Sequence, residues 1–246
     1  MIKREMLHEG KVKSIWTTDD PEVCIAEFSD RITAGDGLKK AELPGKGVLL
    51  NKISSLLFSR LAEAGVPSHF IRAIDDNSML VRKAHLLPLE VVVRNRTAGS
   101  ICRRLGLAQN LVIEPPLVEF FWKNDALHDP LLTREHIAML DVVSDEQYAE
   151  IVNQALAVNR VLTDIFAGAG LDLADFKLEF GISQGRVLII DEISPDTCRL
   201  WLAGTTQGLD KDRFRNDTGD VLEGYREVLH RLMATEKTQA GGRSHE

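Results

Sequence analysis

No run in the 246 residues approaches the ~18 consecutive apolar positions of a membrane-spanning helix. The opening segment, MIKREMLHEG, also lacks an apolar stretch of signal-peptide length, so a cytoplasmic protein without a membrane partner is expected. Cysteine is scarce: Cys24, Cys102 and Cys198 are odd in number and widely spaced, which argues against a disulfide framework or a CxxC metal site. Reduced thiols are the simple expectation. Basic residues are in deficit, 30 Lys plus Arg against 37 Asp plus Glu, for a net charge of -7. That excludes a nucleic-acid-coating surface but leaves room for a local basic cluster around a small phosphorylated ligand. Internal repeats are absent, and low complexity is confined to TEKTQAGGRSHE, residues 235–246, where a frayed tail is expected.

With 44% hydrophobic and 27% charged residues, the rest has the balance of an ordinary globular protein long enough to bury a core. Three short β-branched or aromatic runs, KVKSIWTT, EVCIAEFS and SMLVRKA, read as strands separated by turn residues. Between the last two, Leu49, Leu50, Ile53, Leu56, Leu57 and Leu61 keep helical spacing, predicting a helix over 48–64 stopped by Gly65 and Pro67. LPLEVVVRNR is an apolar strand running into charge, followed by a short helix opening at Ser100. A long helix is predicted over 145–167, with Ser144 as N-cap and Gln147 three residues later, and an amphipathic helix from Val221 to Leu232 closes the chain. Mixed elements without regular βαβ alternation point to α+β, with a hinge near 82–90.

The segment DFKLEFGISQGRVLIIDEISPDTCRLW, 175–201, is unusually charged for a hairpin. A three-residue loop at Gln184-Gly185-Arg186 would pair Phe180 with Ile190 and set Glu179 opposite Asp191. Two opposed carboxylates call for a cation between them, and Mg²⁺ arriving with phosphates would serve; a solvated sheet edge partnered by Lys177 is the other reading. In HEGKVKSIW, Lys11 and Lys13 on one side of a strand would suit phosphates, or form an exposed lysine edge. In VVVRNRTAGS, Arg94 and Arg96 arrive where Gly99-Ser100 opens a helix, a combination suited to phosphate or carboxylate; the alternative is an Arg paired with a nearby acid and a capping Ser100. SPDTCRLW, DKDRFRND and KNDALHDP taken singly read as solvated ion-pair clusters. His128 lacks metal-ligand spacing to another histidine, so no zinc is expected, and Cys198 has no activating base nearby.

In order along the chain, GKVKSIW, FSDRITAGDG, LEVVVRNRTAGS, FFWKNDALHDP, DFKLEFG, DEISPDTCRLW and DKDRFRND resemble the SAICAR synthetase family of purine biosynthesis over about residues 7–232. The resemblance implies a two-lobed α+β fold: a β-rich ATP-binding lobe over 1–85, similar to the nucleotide-binding lobe of protein kinases, and a larger α+β lobe over 86–246. It implies an ATP-dependent ligase that joins L-aspartate to the carboxylate of carboxyaminoimidazole ribonucleotide (CAIR), with Mg²⁺, releasing ADP and phosphate. A kinase-like phosphotransferase, which the missing HRD and GxGxxG motifs disfavour, and a non-catalytic nucleotide-binding regulator are the alternatives.

Carried onto this sequence, the resemblance makes Asp175 and Lys177 catalytic, and places Lys11, Lys13, Glu179 and Asp191 at ATP, the last two also at the metal. It gives Arg94, Ser100, Arg199 and Arg215 to CAIR, with Arg94 near the imidazole carboxylate and Ser100 and Arg199 at the 5'-phosphate. Asp36, Lys123 and Asp129 fall on the aspartate or substrate side. Thr197-Cys198 departs from the small hydroxyl or glycine pair common at that place in the family. A homo-oligomer is expected from the family.

Overall fold

A computed structural model of the chain describes residues 1–35 and 37–242, with side chains through Thr235. The first half contains β1 (Met6–Glu9), β2 (Lys13–Thr17), β3 (Val23–Phe28), β4 (Arg31–Ala34), β5 (Lys39–Glu42), α1 (Lys46–Glu63), β6 (Phe70–Ala73) and β7 (Ser78–Arg82). Five of these strands form an antiparallel sheet ordered β1-β2-β3-β7-β6, while β4 and β5 make a separate hairpin. Alternation along β3 divides its side chains between two faces. Cys24, Ala26 and Phe28 join Leu50, Met79 and Tyr225 in one core, and Val23 and Ile25 pack with Leu80 and Trp16 on the other side.

α1 begins at Lys46, two residues before the predicted Val48. Its first free amides are met by a distant residue: Asp30 accepts from Gly47 N at 2.9 Å and Gly45 N at 3.0 Å. A cap supplied from across a turn leaves no local signature before the helix.

The second half has β8 (His85–Arg96), α2 (Ser100–Leu105), β9 (Val112–Trp122), β10 (Leu131–Leu132), α3 (Arg134–Met139), α4 (Asp145–Gly168), β11 (Leu171–Ser183), β12 (Arg186–Ile190), β13 (Cys198–Leu202), α5 (Asp212–Asn216) and α6 (Val221–Gly242). The strand order is β10-β9-β8-β11-β12, with β13 also on β11. α4 matches its predicted span, and Ser144 and Gln147 form a reciprocal capping box. α6 carries helix through 235–242, into the segment expected to fray, and 243–246 lie outside the described residues. The sheets meet in sequence at Lys83 and Ala84, between β7 and β8. The fold is therefore two-lobed α+β, with a long cleft lined from both lobes.

Candidate active site

β11 is the strand on which the cleft is organised. It pairs with β8 along one edge, and with β13 and then β12 along the other. Asp175, Lys177 and Glu179 occupy alternate positions and so share a face. The register sets Asp175 opposite Arg94 in β8 and Arg199 in β13. A carboxylate thus lies between two guanidinium groups: Arg94 Nη1 donates at 2.7 Å, and Arg199 Nη1 donates to both oxygens at 3.0 and 2.8 Å. Arg94 also reaches Glu119 at 2.6 Å and Ser100 Oγ at 3.1 Å. Arg199 Nε reaches Asp212 at 2.9 Å, whose other oxygen takes Arg215 at 2.5 Å. Burial opposes the charge on Arg199, but Asp175 and Asp212 outweigh it and raise its pKa. Arg94, Ser100, Arg199 and Arg215 are brought together in this way, whereas Arg96 bonds Asn110 instead.

The hairpin register differs from the expected one. The loop is the two residues Gln184 and Gly185, both at positive φ (48° and 75°), and Glu179 faces Ile190 rather than Asp191. Its opposed carboxylate is Glu90, on the other neighbouring strand. A cation does lie between these acids, because Lys177 and Lys123 each place Nζ 2.7 Å from Glu179 and 3.7 Å from Glu90.

Asp191 nevertheless converges on the same site. An extended continuation of β12 would turn its side chain away from Glu179, but its φ of 71° breaks the alternation. Its carboxylate then lies 2.9 Å from Lys177 Nζ, which also holds Glu179. Lys13 donates to both Asp191 and Glu192. β2 starts only at Lys13; Lys11 lies in the preceding turn, 3.1 Å from exposed Asp125, so the two lysines do not share a strand face as expected.

Burial works against the ammonium charge of Lys13 and Lys177, yet their carboxylate neighbours hold both pKa values above the usual lysine range. Burial also opposes ionisation of Asp191, but Lys13 and Lys177 prevail and lower its pKa. Burial and then Asp191 push Glu192 up to about 7, against the pull of Lys13. Behind this cluster His69 is driven down to about 3, by burial first and Lys13 second, and its Nε2 has no partner among the described residues.

One cleft of about 1540 Å³ is lined by both groups and by Lys11, Lys123 and Asp129. Asp129 accepts from Asn124 N at 2.8 Å. Asp36, between β4 and β5 in the sequence, lies outside the described residues. Sequence reasoning missed Glu192, Glu90, Glu119 and Asp212 as charge partners. Glu192 stands beside Asp191 in the chain, but strand alternation gives no sign that both reach Lys13. Buried Cys198 has its thiol pKa raised by burial, in keeping with a structural role.

A model described as SAICAR synthetase matches residues 6–232. The chain belongs to the SAICAR synthetase family. It is 50% identical over 236 residues to the phosphoribosylaminoimidazole-succinocarboxamide synthase of Persephonella marina, covering 96% of this chain and 99% of the relative. A crystal structure of the Ehrlichia chaffeensis synthase aligns with a TM-score of 0.91 at 41% identity, covering 94% of this chain and 99% of that one. A SAICAR synthetase solved in complex with ADP aligns at 0.89 with 45% identity, covering 92% and 97%. The family's ligases are enzymes of purine biosynthesis, and the match spans both lobes and every charged segment of the cleft.

Proposed function

We propose that this chain is the ATP-dependent ligase joining L-aspartate to the CAIR carboxylate, giving SAICAR, ADP and phosphate. The observation that carries the reading is β11 itself. One face of this strand carries a guanidinium–carboxylate group around Asp175 and, one side chain along, an ammonium–carboxylate group around Lys177 and Glu179, both in one cleft. Such a cleft suits two anionic ligands held end to end, a nucleotide and a ribonucleotide.

In this reading Lys11 and Lys13 meet the ATP phosphates, and Arg94, Ser100, Arg199 and Arg215 hold CAIR. Lys177 is the member of the ammonium–carboxylate group next to Asp175 along β11, where a phosphoryl group would pass. Both oxygens of Asp175 already accept from arginines, so its part is to orient Arg94 and Arg199 towards CAIR. Lys123, bonded to Glu179, belongs with the nucleotide end, while Asp36 and Asp129 keep their assignment to the substrate side.

Glu179 and Asp191 fit a Mg²⁺ brought by the nucleotide: two carboxylates converge on a single cation, Lys177, and hard oxygen donors are what this ion takes. Among the described residues no group of three or more Asp, Glu, His or Cys forms a cage for a metal, so phosphates would have to complete the coordination. When bound, the ion neutralises charge on the transferring phosphoryl group.

The chemistry needs this concentration of cations. A carboxylate is a poor acyl donor, since it would expel oxide. Transfer of the γ-phosphoryl group to the CAIR carboxylate converts it to an acyl phosphate; the aspartate amine then attacks its carbonyl carbon, phosphate departs and the amine loses a proton. Lys13 and Lys177, protonated at neutral pH, would offset the repulsion among these anions. ADP release by purified protein with ATP and Mg²⁺ should require both CAIR and aspartate; release indifferent to both would overturn the ligase reading. The same reading carries a cytoplasmic location and a homo-oligomer, the latter measurable by sedimentation.

A further inference from the structure

Lys211 has no part in the assignments above, yet it lines the cleft. Its side chain is only 13% exposed, and its Nζ lies 3.8 Å from Asp196 Oδ2, beyond hydrogen-bonding distance. Asp196 is already occupied. Oδ2 takes Lys46 Nζ at 2.7 Å, Oδ1 takes the Tyr225 hydroxyl, and Lys46 is itself fully buried. One carboxylate thus serves two ammonium groups, and Lys46 has the closer contact.

The contrast with the neighbouring cations is direct. Lys123, Lys177, Arg199 and Arg215 each donate to a carboxylate within 2.5–2.8 Å, and Lys13 donates to two. Among the described residues Lys211 Nζ makes no hydrogen bond to the protein. Burial lowers its pKa, Asp196 resists, and Arg215 and Lys46 lower it further, as expected of an ammonium short of negative charge. Its backbone is tied down by donation from Lys211 N to Pro195 O at 3.0 Å, so the stem is held at the cleft wall. A largely dehydrated cation with open donors facing a substrate cleft calls for an anion.

We propose that Lys211 receives a carboxylate of the L-aspartate substrate. The assignment rests on the ligase reading. There the phosphates and the ribonucleotide already have cations, Lys123 is held by Glu179, and the dicarboxylate brings two negative charges with no ammonium yet facing them.

The test uses the full chain. In Lys211→Met, KM for L-aspartate and the inhibition constant of succinate, a competing dicarboxylate, should rise together by about 30-fold, the scale of losing one partly buried charged partner. KM for ATP and for CAIR should stay within about two-fold, and Lys211→Arg, which keeps the charge, should recover most of the aspartate affinity. An aspartate KM within about two-fold of wild type overturns the assignment, and so does a matching rise for CAIR, which would give Lys211 to the ribonucleotide. Should Lys211→Met not fold, wild-type protein answers the question through amine acetylation read by peptide mass spectrometry. Saturating succinate should protect Lys211; equal labelling with and without it overturns the proposal. Wild-type ADP release that ignores aspartate would sink the ligase reading, whereas aspartate-dependent release with an unaltered KM in the variant would sink this assignment alone.

Discussion

Asp191 shows how much a single residue decides here. Its left-handed backbone aims a carboxylate at Lys177, and the adjacent Glu192 also reaches Lys13. Asp191→Asn keeps the size and removes the charge that faces both lysines. The expected result is a kcat lowered at least about 100-fold, the scale of losing one electrostatic element of a transition state, with the melting temperature little changed. Steady-state kinetics beside a thermal melt check this, and near-normal kcat would remove the proposed metal role. Asp210 makes a different prediction. It is fully buried, accepts from Leu200 N at 2.9 Å and Asp212 N at 2.7 Å, and is pushed up to about 7 by burial and then by Asp212. Unfolded, the same carboxyl ionises near 3.8. Between those values the folded state binds more protons, so stability falls as pH rises from about 4 to about 7 and then levels off. The full swing is on the order of 4 kcal/mol. Asp210→Asn should flatten that slope whatever its offset in stability, as denaturant melts at a series of pH values would show.

Elements with strong local periodicity are legible in the sequence. The span of α4 and its capping box follow from Ser144, Gln147 and the apolar face, whereas α1 starts two residues earlier than its periodicity indicates because Asp30 caps it from elsewhere. The β11–β12 register is not legible, because two-residue and three-residue loops both give each strand a coherent apolar side. What selects the shorter loop is positive φ at both Gln184 and Gly185, the geometry of a tight hairpin turn, in which Asn is preferred at the first position. Gln184→Asn should therefore stabilise the fold by about 0.5 kcal/mol, read in a denaturant melt, with turnover unchanged because the turn is remote from the charged rows. Gly99 is constrained by the site instead. At φ 63° and ψ -125° it opens α2, and a Cβ there would collide with the Arg199 guanidinium. Gly99→Ala should raise KM for CAIR by displacing Arg199 while leaving KM for ATP near wild type; equal changes in both would point to general disruption.

At the scale of the molecule, charged motifs that read as separate clusters in the sequence converge through long-range pairing that no local pattern encodes. Arg94, Asp175 and Arg199 are neighbours because β8 and β13 flank β11, and Lys13 reaches Asp191 across 178 positions. The family resemblance supplies that convergence where periodicity cannot. Two helices then tie the halves together. α1 buries Leu50 in the N-terminal core and Ile53, Leu57, Phe58 and Leu61 in the larger one, and α6 buries Tyr225 in the first and Val228 and Leu232 in the second. Lys46 on α1, Asp196 beside the cleft and Tyr225 on α6 join these helices through a buried ion pair and a hydroxyl. Removing Lys46 leaves Asp196 with the Tyr225 hydroxyl and the longer contact to Lys211, so the cost should fall below the about 3–5 kcal/mol of stranding a buried charge outright. Lys46→Met should show that loss in a denaturant melt. Tyr225→Phe, which removes a single hydrogen bond to a charged group, should cost about 1.5–3 kcal/mol. The two losses should fall short of additive in the double variant, since both act on Asp196. Because both helices pack into both cores, each variant should still unfold in one transition, seen as coincident fluorescence and far-UV circular dichroism curves; separate transitions would mean that the lobes hold together independently of α1 and α6.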